Sequence, residues 1–318
     1  KWYNAAMEQG ELPKLIAVVG PTGSGKSDLA LDIAHQTNGE LISADSRQLY
    51  KGLDIGSAKD PGVWKKDEDG VERYMLNGVA EHLVDLIDPN EEFTVGLFQK
   101  KAFEAVDDIL ARGKQPIVVG GTGLYIQSIV ENLRFPDVSP IEVVRDLLAK
   151  KSLADLQAAY AACDPVGALS IDHNNRRRLI RAIEVCWVKQ KPFSEVQGKG
   201  PAKYRTLQIA FELMREQLYA RLDRRAIEMI EEGLVDEVRD LLDSGADPRK
   251  SALSGIGYRE VVSFLQGFTN EEEMVEQIQR NTRRLAKRQL AWFRRDANIV
   301  WVKTAEEAFA HVQRFLNE

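Results

Sequence analysis

Gly20-Pro21-Thr22-Gly23-Ser24-Gly25-Lys26-Ser27 places a glycine, four residues and then Gly-Lys-Ser in one short run. Glycines at this spacing let successive backbone N–H groups turn inward on phosphate oxygens. Lys26 adds a point charge, the Ser27 hydroxyl is placed for Mg²⁺, and the helix that opens here adds the positive end of its dipole. The pattern calls for a polyphosphate with Mg²⁺ and does not by itself specify ATP. Asp45-Ser46-Arg47-Gln48 follows a second apolar run, Glu40–Ser43. A carboxylate there can ligate Mg²⁺ through water or take a proton from a nucleophile. Asp-Ser is equally an ordinary turn or helix cap. Gly120-Gly121-Thr122-Gly123 follows the run Pro116–Val119. Paired glycines admit a ligand close to the backbone, and the Thr122 hydroxyl can donate to a leaving-group oxygen. The alternative is a tight strand-to-helix turn with no ligand.

Two basic clusters stand further along. Arg176, Arg177, Arg178 and Arg181 put four arginines in six residues. Arg280, Arg283, Arg284, Lys287, Arg288, Arg294 and Arg295 fall within sixteen residues, interleaved with Gln289, Trp292 and Phe293. Phosphate backbones need such cations, and unstacked bases need aromatic or guanidinium planes. Arg221, Arg224 and Arg225 open another helix; Arg221 or Arg225 can clamp a phosphate, or both can pair on the surface with Asp223, Glu228 or Glu231. The histidines, at 35, 82, 173 and 311, share no ligand spacing; His82 is the one expected near the cleft.

These groups need a frame to hold them. Leu15–Val19 is a buried-strand run that ends at the glycine loop, and Ser27–Gln36 has helical spacing. Glu40–Ser43 and Leu83–Ile87 are expected as the second and third strands, Phe98–Ala111 as a helix, and Ile117–Val119 as a strand. Strand and helix in alternation imply right-handed crossovers and a mostly parallel sheet, an α/β fold. From Ile141 to about Gln190 the periodicity is helical, and Gln197–Lys203 is a linker. A strand at Thr206–Phe211, a helix at Arg215–Leu242 broken near Gly233, a helix from Glu271 to about Arg295 and a strand at Asn298–Val302 follow. The expected organisation is a core, 11–135 and 203–318, interrupted by an all-helical insertion, 136–202. Lys59–Gly78 is expected as a solvated surface excursion. Its Asp67-Glu68-Asp69-Gly70 has the form of a GTPase Asp-x-x-Gly, but no strand precedes it and no Asn-Lys-x-Asp follows.

Composition sets the outer bounds. With 44% hydrophobic and 29% charged residues, 318 residues can bury a sizeable core, and no apolar run approaches the ~18 residues of a membrane span. The first ten residues hold no signal segment, and the lack of an initiator Met is expected from a trimmed start. Two cysteines make neither a disulfide framework nor a zinc site, so a reducing, cytoplasmic setting is expected. The net charge of −6 argues against nucleic acid only as a total: the bases bunch in 176–181 and 280–295, so an acidic protein can carry a local basic track.

GPTGSGKS, ADSRQLYKGLDIGSAK, GGTGLYIQS, NNRRRLIRAIEV, ARLDRRAIEMIEEGLVDEV, GIGYREV and RRLAKRQLAWFRRD occur in this order along nearly the whole chain. The set resembles the tRNA dimethylallyltransferases, also called tRNA isopentenyltransferases. The resemblance implies a kinase-like P-loop NTPase core with a helical insert that grips the anticodon stem-loop. It implies Mg²⁺-dependent transfer of the dimethylallyl group of dimethylallyl diphosphate to N6 of adenosine 37, in tRNAs that read codons starting with U. It makes Asp45 the general base within a tRNA-contacting block of Asp45, Ser46, Arg47 and Gln48. Thr122 and Arg145 match substrate-contacting positions; Arg177, Arg178, Leu179, Ile180 and Arg181 match a second tRNA-contacting block; Arg221 matches an arginine on the diphosphate. The chain departs from the family pattern in a longer 59–78 segment, in Val79-Ala80-Glu81-His82 where Val-Pro-His is common, and in Ala291 where Thr is frequent. The cysteine count fits a form without the C-terminal zinc finger of some eukaryotic relatives. A monomer suffices for one tRNA. The competing readings are a P-loop small-metabolite kinase using ATP, in which Asp45 accepts a hydroxyl proton, and a non-enzymatic RNA-binding module.

Overall fold

The computed structural model describes residues 11–67 and 70–318; the first ten residues, with their lack of a signal pattern, and Glu68 and Asp69 of the Asp-x-x-Gly stretch lie outside them. Along the chain run β1 (Lys14–Val19), α1 (Lys26–Thr37), β2 (Gly39–Ser43), β3 (Val63–Lys66), β4 (Glu72–Leu76), β5 (Val79–His82), α2 (Val95–Ala111), β6 (Gln115–Gly120) and α3 (Gly123–Val130). Then come β7 (Leu133–Arg134), α4 (Glu142–Ala149), α5 (Leu153–Cys163), α6 (Pro165–Ala168), α7 (Arg176–Lys189), α8 (Phe193–Val196) and β8 (Gly198–Lys199). β9 (Arg205–Phe211), α9 (Arg215–Glu231), α10 (Leu234–Asp243), α11 (Tyr258–Leu265), α12 (Glu271–Phe293), β10 (Ile299–Val302) and α13 (Ala305–Asn317) complete it. No helix among the described residues is long and apolar enough to cross a membrane.

The chain divides into two compact units. One holds the described residues up to Val130 together with Lys203–Glu318; the other is Glu131–Ala202. The first is α/β, with eight strands ordered β10-β9-β1-β6-β2-β5-β4-β3. The six strands from β10 to β5 run parallel, and β4 and β3 add an antiparallel hairpin at the edge. Central parallel strands are covered on both faces, which is why β1 reads as an unbroken apolar run. On one face α1 and α13 bury Leu29, Ile33, Val312 and Phe315 against Ile16, Val18 and Leu41; on the other α2 and α3 bury Phe98, Val106 and Ile126 against Ala17 and Ile42. Each such side chain contributes roughly 1.5–3 kcal/mol. β6 lies between β1 and β2, so the loops after all three strands open at the same sheet edge.

Two expectations in this unit need correction. The strand expected at Leu83–Ile87 lies ahead of it, as β5, because Leu83 and Asp85 take positive φ of 65° and 49° and cannot continue a ladder; Ile87 makes only an isolated bridge to Tyr50. The segment 59–78 is no loose excursion either, since β3 and β4 extend the sheet within it.

The second unit packs Leu148, Leu156, Tyr160, Leu179, Ile183 and Cys186 into a core of its own. It is not wholly helical: β7 and β8 pair antiparallel at its two ends, Leu133 with Lys199 and Arg134 with Gly198. Strands of two residues carry no periodicity to read. Buried Asp164 organises the turn after α5, accepting from Gly167 N at 2.7 Å, Ser194 N at 2.7 Å, Ser194 Oγ at 2.8 Å and the Tyr160 hydroxyl at 2.9 Å.

Candidate active site

The loop between β1 and α1 turns through Gly23 and Gly25, whose φ of 75° and 80° lie in the left-handed region that glycine adopts without a Cβ clash. Ser24 is buried there, and its Oγ has no hydrogen-bond partner. A buried, unpaired hydroxyl carries a desolvation cost that a ligand oxygen would relieve. Burial holds the Lys26 ammonium below its usual range; Asp45 and Asp60 oppose that shift, and Arg225 adds to it. Burial raises the Asp60 carboxyl, and the neighbouring Ser27 hydroxyl opposes that shift.

The three loops are tied together. Thr122 N donates to Ala44 O at 3.3 Å, and Ser46 N donates to Thr122 Oγ1 at 3.2 Å. Thr122 Oγ1 is thus an acceptor for the protein, which leaves its proton to give to a ligand oxygen. Arg47 N donates to Asp45 Oδ1 at 2.8 Å, so the turn reading of Asp45 is correct as geometry and also fixes the carboxylate beside Thr122. Gln289 of α12 clasps the other side: its Oε1 accepts from Thr22 N at 3.0 Å and its Nε2 donates to Gly121 O at 2.9 Å. A Cβ on Gly121 would lie 2.5 Å from Gln289 Nε2 and would displace that amide from its clasp. Gly20–Ser27, Asp45 and Thr122 therefore share one edge.

Other residues of interest go elsewhere. Arg47 donates to the carbonyls of Ser251 and Ala252; Gln48 accepts from Ser43 Oγ at 2.7 Å and donates to Ala58 O at 3.4 Å. Arg221 is exposed, whereas Arg225, one turn on, is half-buried, lies in the field of Lys26 and Asp60, and lines a cavity of about 700 Å³. Geometry favours Arg225 over Arg221 as the cation next to the loop. His82 faces away from the edge, 2.7 Å from Glu40 Oε2, because alternate strand residues point to opposite faces. Its neighbour Glu81 points to the α1 side, in register with Leu41; burial, with Asp60 and Asp45 close by and Lys59 only partly offsetting them, pushes its carboxyl up to about 8.

In the second unit, Arg177 and Arg178 are exposed at the start of α7. Leu179 is fully buried and Ile180 packs on the same core, so these two set the shape behind the arginines rather than a contact surface. Arg145 donates to Glu184 at 2.9 and 3.0 Å, and Arg181 donates to Glu184 at 2.6 Å and to Val138 O at 2.7 Å. Both are committed to a buried carboxylate within the unit. On α12, Arg280, Arg284, Lys287 and Arg288 are exposed, and Arg294 and Arg295 follow, exposed, beyond its end; Arg283 pairs with Asp223. Asp60 is the position that residue spacing does not single out; Arg225 enters there only as an equal of Arg221, and Gln289 only as a residue interleaved with the basic run. A polar residue on the apolar side of α12 was the available signal for Gln289.

Among the described residues no three His, Cys, Asp or Glu side chains converge as a metal cage. Mg²⁺ does not need one, since it keeps water and takes substrate phosphate oxygens. The Ser27 hydroxyl at the loop fits that role.

A family model described as IPP transferase matches residues 48–296. The chain is 41% identical over 297 residues to a protein of Syntrophomonas wolfei named tRNA dimethylallyltransferase, covering 92% of each. Among solved structures it is similar to the full-length tRNA isopentenylpyrophosphate transferase of Bacillus halodurans, with TM-score 0.68, 35% identity and coverage of 96% and 95%. It is also similar to a eukaryotic dimethylallyltransferase acting on tRNA, with TM-score 0.79, 27% identity and coverage of 96% and 80%.

Proposed function

The chain belongs to the IPP transferase family, and from that premise we propose that it transfers the dimethylallyl group of dimethylallyl diphosphate to N6 of adenosine 37 in tRNAs reading codons that start with U. The observation that carries the reading is the single edge on which the glycine loop, Asp45 and Thr122 are held by Ser46–Thr122 and Thr22–Gln289–Gly121 hydrogen bonds. It works as a P-loop core whose loop binds a leaving group instead of a nucleotide.

An exocyclic adenine amine is a poor nucleophile, because its lone pair is delocalised into the ring. It has to leave the base stack, meet the allylic carbon and lose a proton as the C–N bond forms. Asp45, with Oδ1 pinned by Arg47 N, presents its other oxygen for that proton. As the C–O bond to diphosphate breaks, charge grows on the departing oxygens. Lys26, the Thr122 proton, the loop amides, the Ser24 hydroxyl and Arg225 stabilise it there more than in the ground state. Ser27 would hold Mg²⁺, which when bound would neutralise further charge on the diphosphate. Exposed Arg177 and Arg178 meet the anticodon stem-loop by phosphate contacts that fix register. A cytoplasmic monomer satisfies all of these roles.

The test is label transfer from dimethylallyl diphosphate to tRNA. Asp45→Ala should lose about 10²–10⁴-fold in transfer while retaining diphosphate binding. A fully active Asp45→Ala variant would overturn the base assignment.

A further inference from the structure

The segment Ala58–Gly62 is fixed in place from several directions. Ala58 N donates to Ile55 O at 2.9 Å and Lys59 N to Asp54 O at 3.0 Å. The Lys59 side chain is 3% exposed and pairs with both Asp54 and Asp85. Those pairings outweigh burial and hold its ammonium above the usual range. The Tyr74 hydroxyl of β4 donates to Asp60 O at 2.8 Å and accepts from Gly62 N at 2.8 Å. A Cβ on Gly62 would fall 2.5 Å from the Tyr74 ring, so the fit leaves no slack.

This framework holds out the carboxylate of Asp60. It lies beside the Ser27 hydroxyl, in the field of Lys26 and Arg225, and forms part of the wall of the 700 Å³ cavity. One polar group nearby is buried and lacks a hydrogen-bond partner among the described residues, Ser24 Oγ, 2% exposed, in the glycine loop; the buried Glu81 carboxyl lies in the field of Asp60. Buried polar groups in folded proteins are nearly always paired, so an orphan hydroxyl inside the phosphate-binding loop marks a place where a ligand supplies the partner.

We infer that Asp60 is a carboxylate ligand, direct or through one water, of the divalent cation that accompanies the diphosphate, acting with the Ser27 hydroxyl. Mg²⁺ is commonly held by one or two carboxylates with substrate phosphate and water completing the shell, which suits a site with no protein cage. The β3–β4 hairpin then has a function, since its Tyr74 fixes the backbone on which Asp60 stands. The inference rests on the diphosphate reading of the loop.

The experiment titrates the full chain with Mn²⁺ in the presence of inorganic diphosphate, follows free Mn²⁺ by electron paramagnetic resonance, and measures diphosphate binding in EDTA by calorimetry. Asp60→Asn keeps an acceptor for Ser27. It should weaken Mn²⁺ binding ~10-fold or more, while metal-free diphosphate binding equals or exceeds that of the parent because a repelling charge is gone. Asp60→Glu should recover part of the Mn²⁺ affinity. A Mn²⁺ affinity in Asp60→Asn within twofold of the parent would overturn the inference. So would loss of Mn²⁺ and of metal-free diphosphate binding together, the sign of a purely structural role. A parent chain that bound no diphosphate under either condition would bring down the reading of the loop and this inference together.

Discussion

Buried carboxylates are treated in opposite ways in two regions of this molecule. Glu40, at the start of β2, accepts from Arg112, from Lys114 Nζ at 2.7 Å and from His82 Nε2, and Glu184 of α7 accepts from Arg145, Arg181 and Ile141 N. Burial alone would raise both carboxyls; these partners outweigh it and hold each below the usual carboxylate range. Glu81, one residue before His82, has no such partner and shifts the other way. Glu40 and Glu184 are satisfied by the chain itself. At the loop edge, among the described residues, Ser24 Oγ is buried without a partner and Glu81 has no cation bound to it, although Thr206 Oγ1 and Thr269 Oγ1, away from the edge, are unpaired as well.

The largest expected effect breaks the satisfied side. Glu184→Ala strands two guanidiniums and should cost about 3 kcal/mol, at the low end for a broken buried pair because Arg145 and Arg181 each keep about a third of their surface in water. Urea denaturation, read with limited proteolysis inside 131–202, measures it; an unchanged midpoint would mean the network is ornamental. Glu81→Gln should do the reverse with pH. Between about 4.5 and 8 the unfolded chain releases this proton while the folded chain keeps it, so the parent loses stability as pH rises through that window. The variant should match the parent below pH 4.5 and exceed it at pH 9, by at most about 5 kcal/mol, the ceiling that the shift sets. Equal melting curves at both pH values would contradict the contrast.

Smaller effects sharpen it among the arginines. Arg177→Ala should leave stability within about 0.5 kcal/mol and reduce the salt dependence of tRNA binding by about one charge. Arg145→Ala should lower stability instead, with its effect on binding following the unfolded fraction. The smallest stability change belongs to Ser24→Ala, within about 0.5 kcal/mol because no hydrogen bond is lost, yet it should weaken diphosphate binding several-fold in calorimetry.

The glycine loop was legible in the sequence because its chemistry dictates residue types, and β1 because a strand buried on both faces has no polar alternation to confuse it. Leu83–Ile87 misled because its apolar residues pack at turns of positive φ, while the true strand carries Glu81 and His82 to opposite faces. β3 is exposed along its whole length, so an edge hairpin has the composition of a loop. Arg221 and Arg225 differ by one helical turn, and both belong to a charged stretch; only burial and the neighbours of Lys26 separate them. Glu184 sits in an arginine-rich helix where a solvated face and a buried ion network have the same spelling.

The central claim is prenyl transfer to tRNA at the edge where Asp45 and Thr122 meet the loop. Mass spectrometry of nucleosides from unmodified tRNA, incubated with the protein, Mg²⁺ and dimethylallyl diphosphate, tests it most directly. The account predicts N6-(dimethylallyl)adenosine from position 37 and inorganic diphosphate in equal amount. Unchanged adenosine at saturating diphosphate donor, or ATP-dependent phosphorylation of a small metabolite with no response to tRNA, would contradict it.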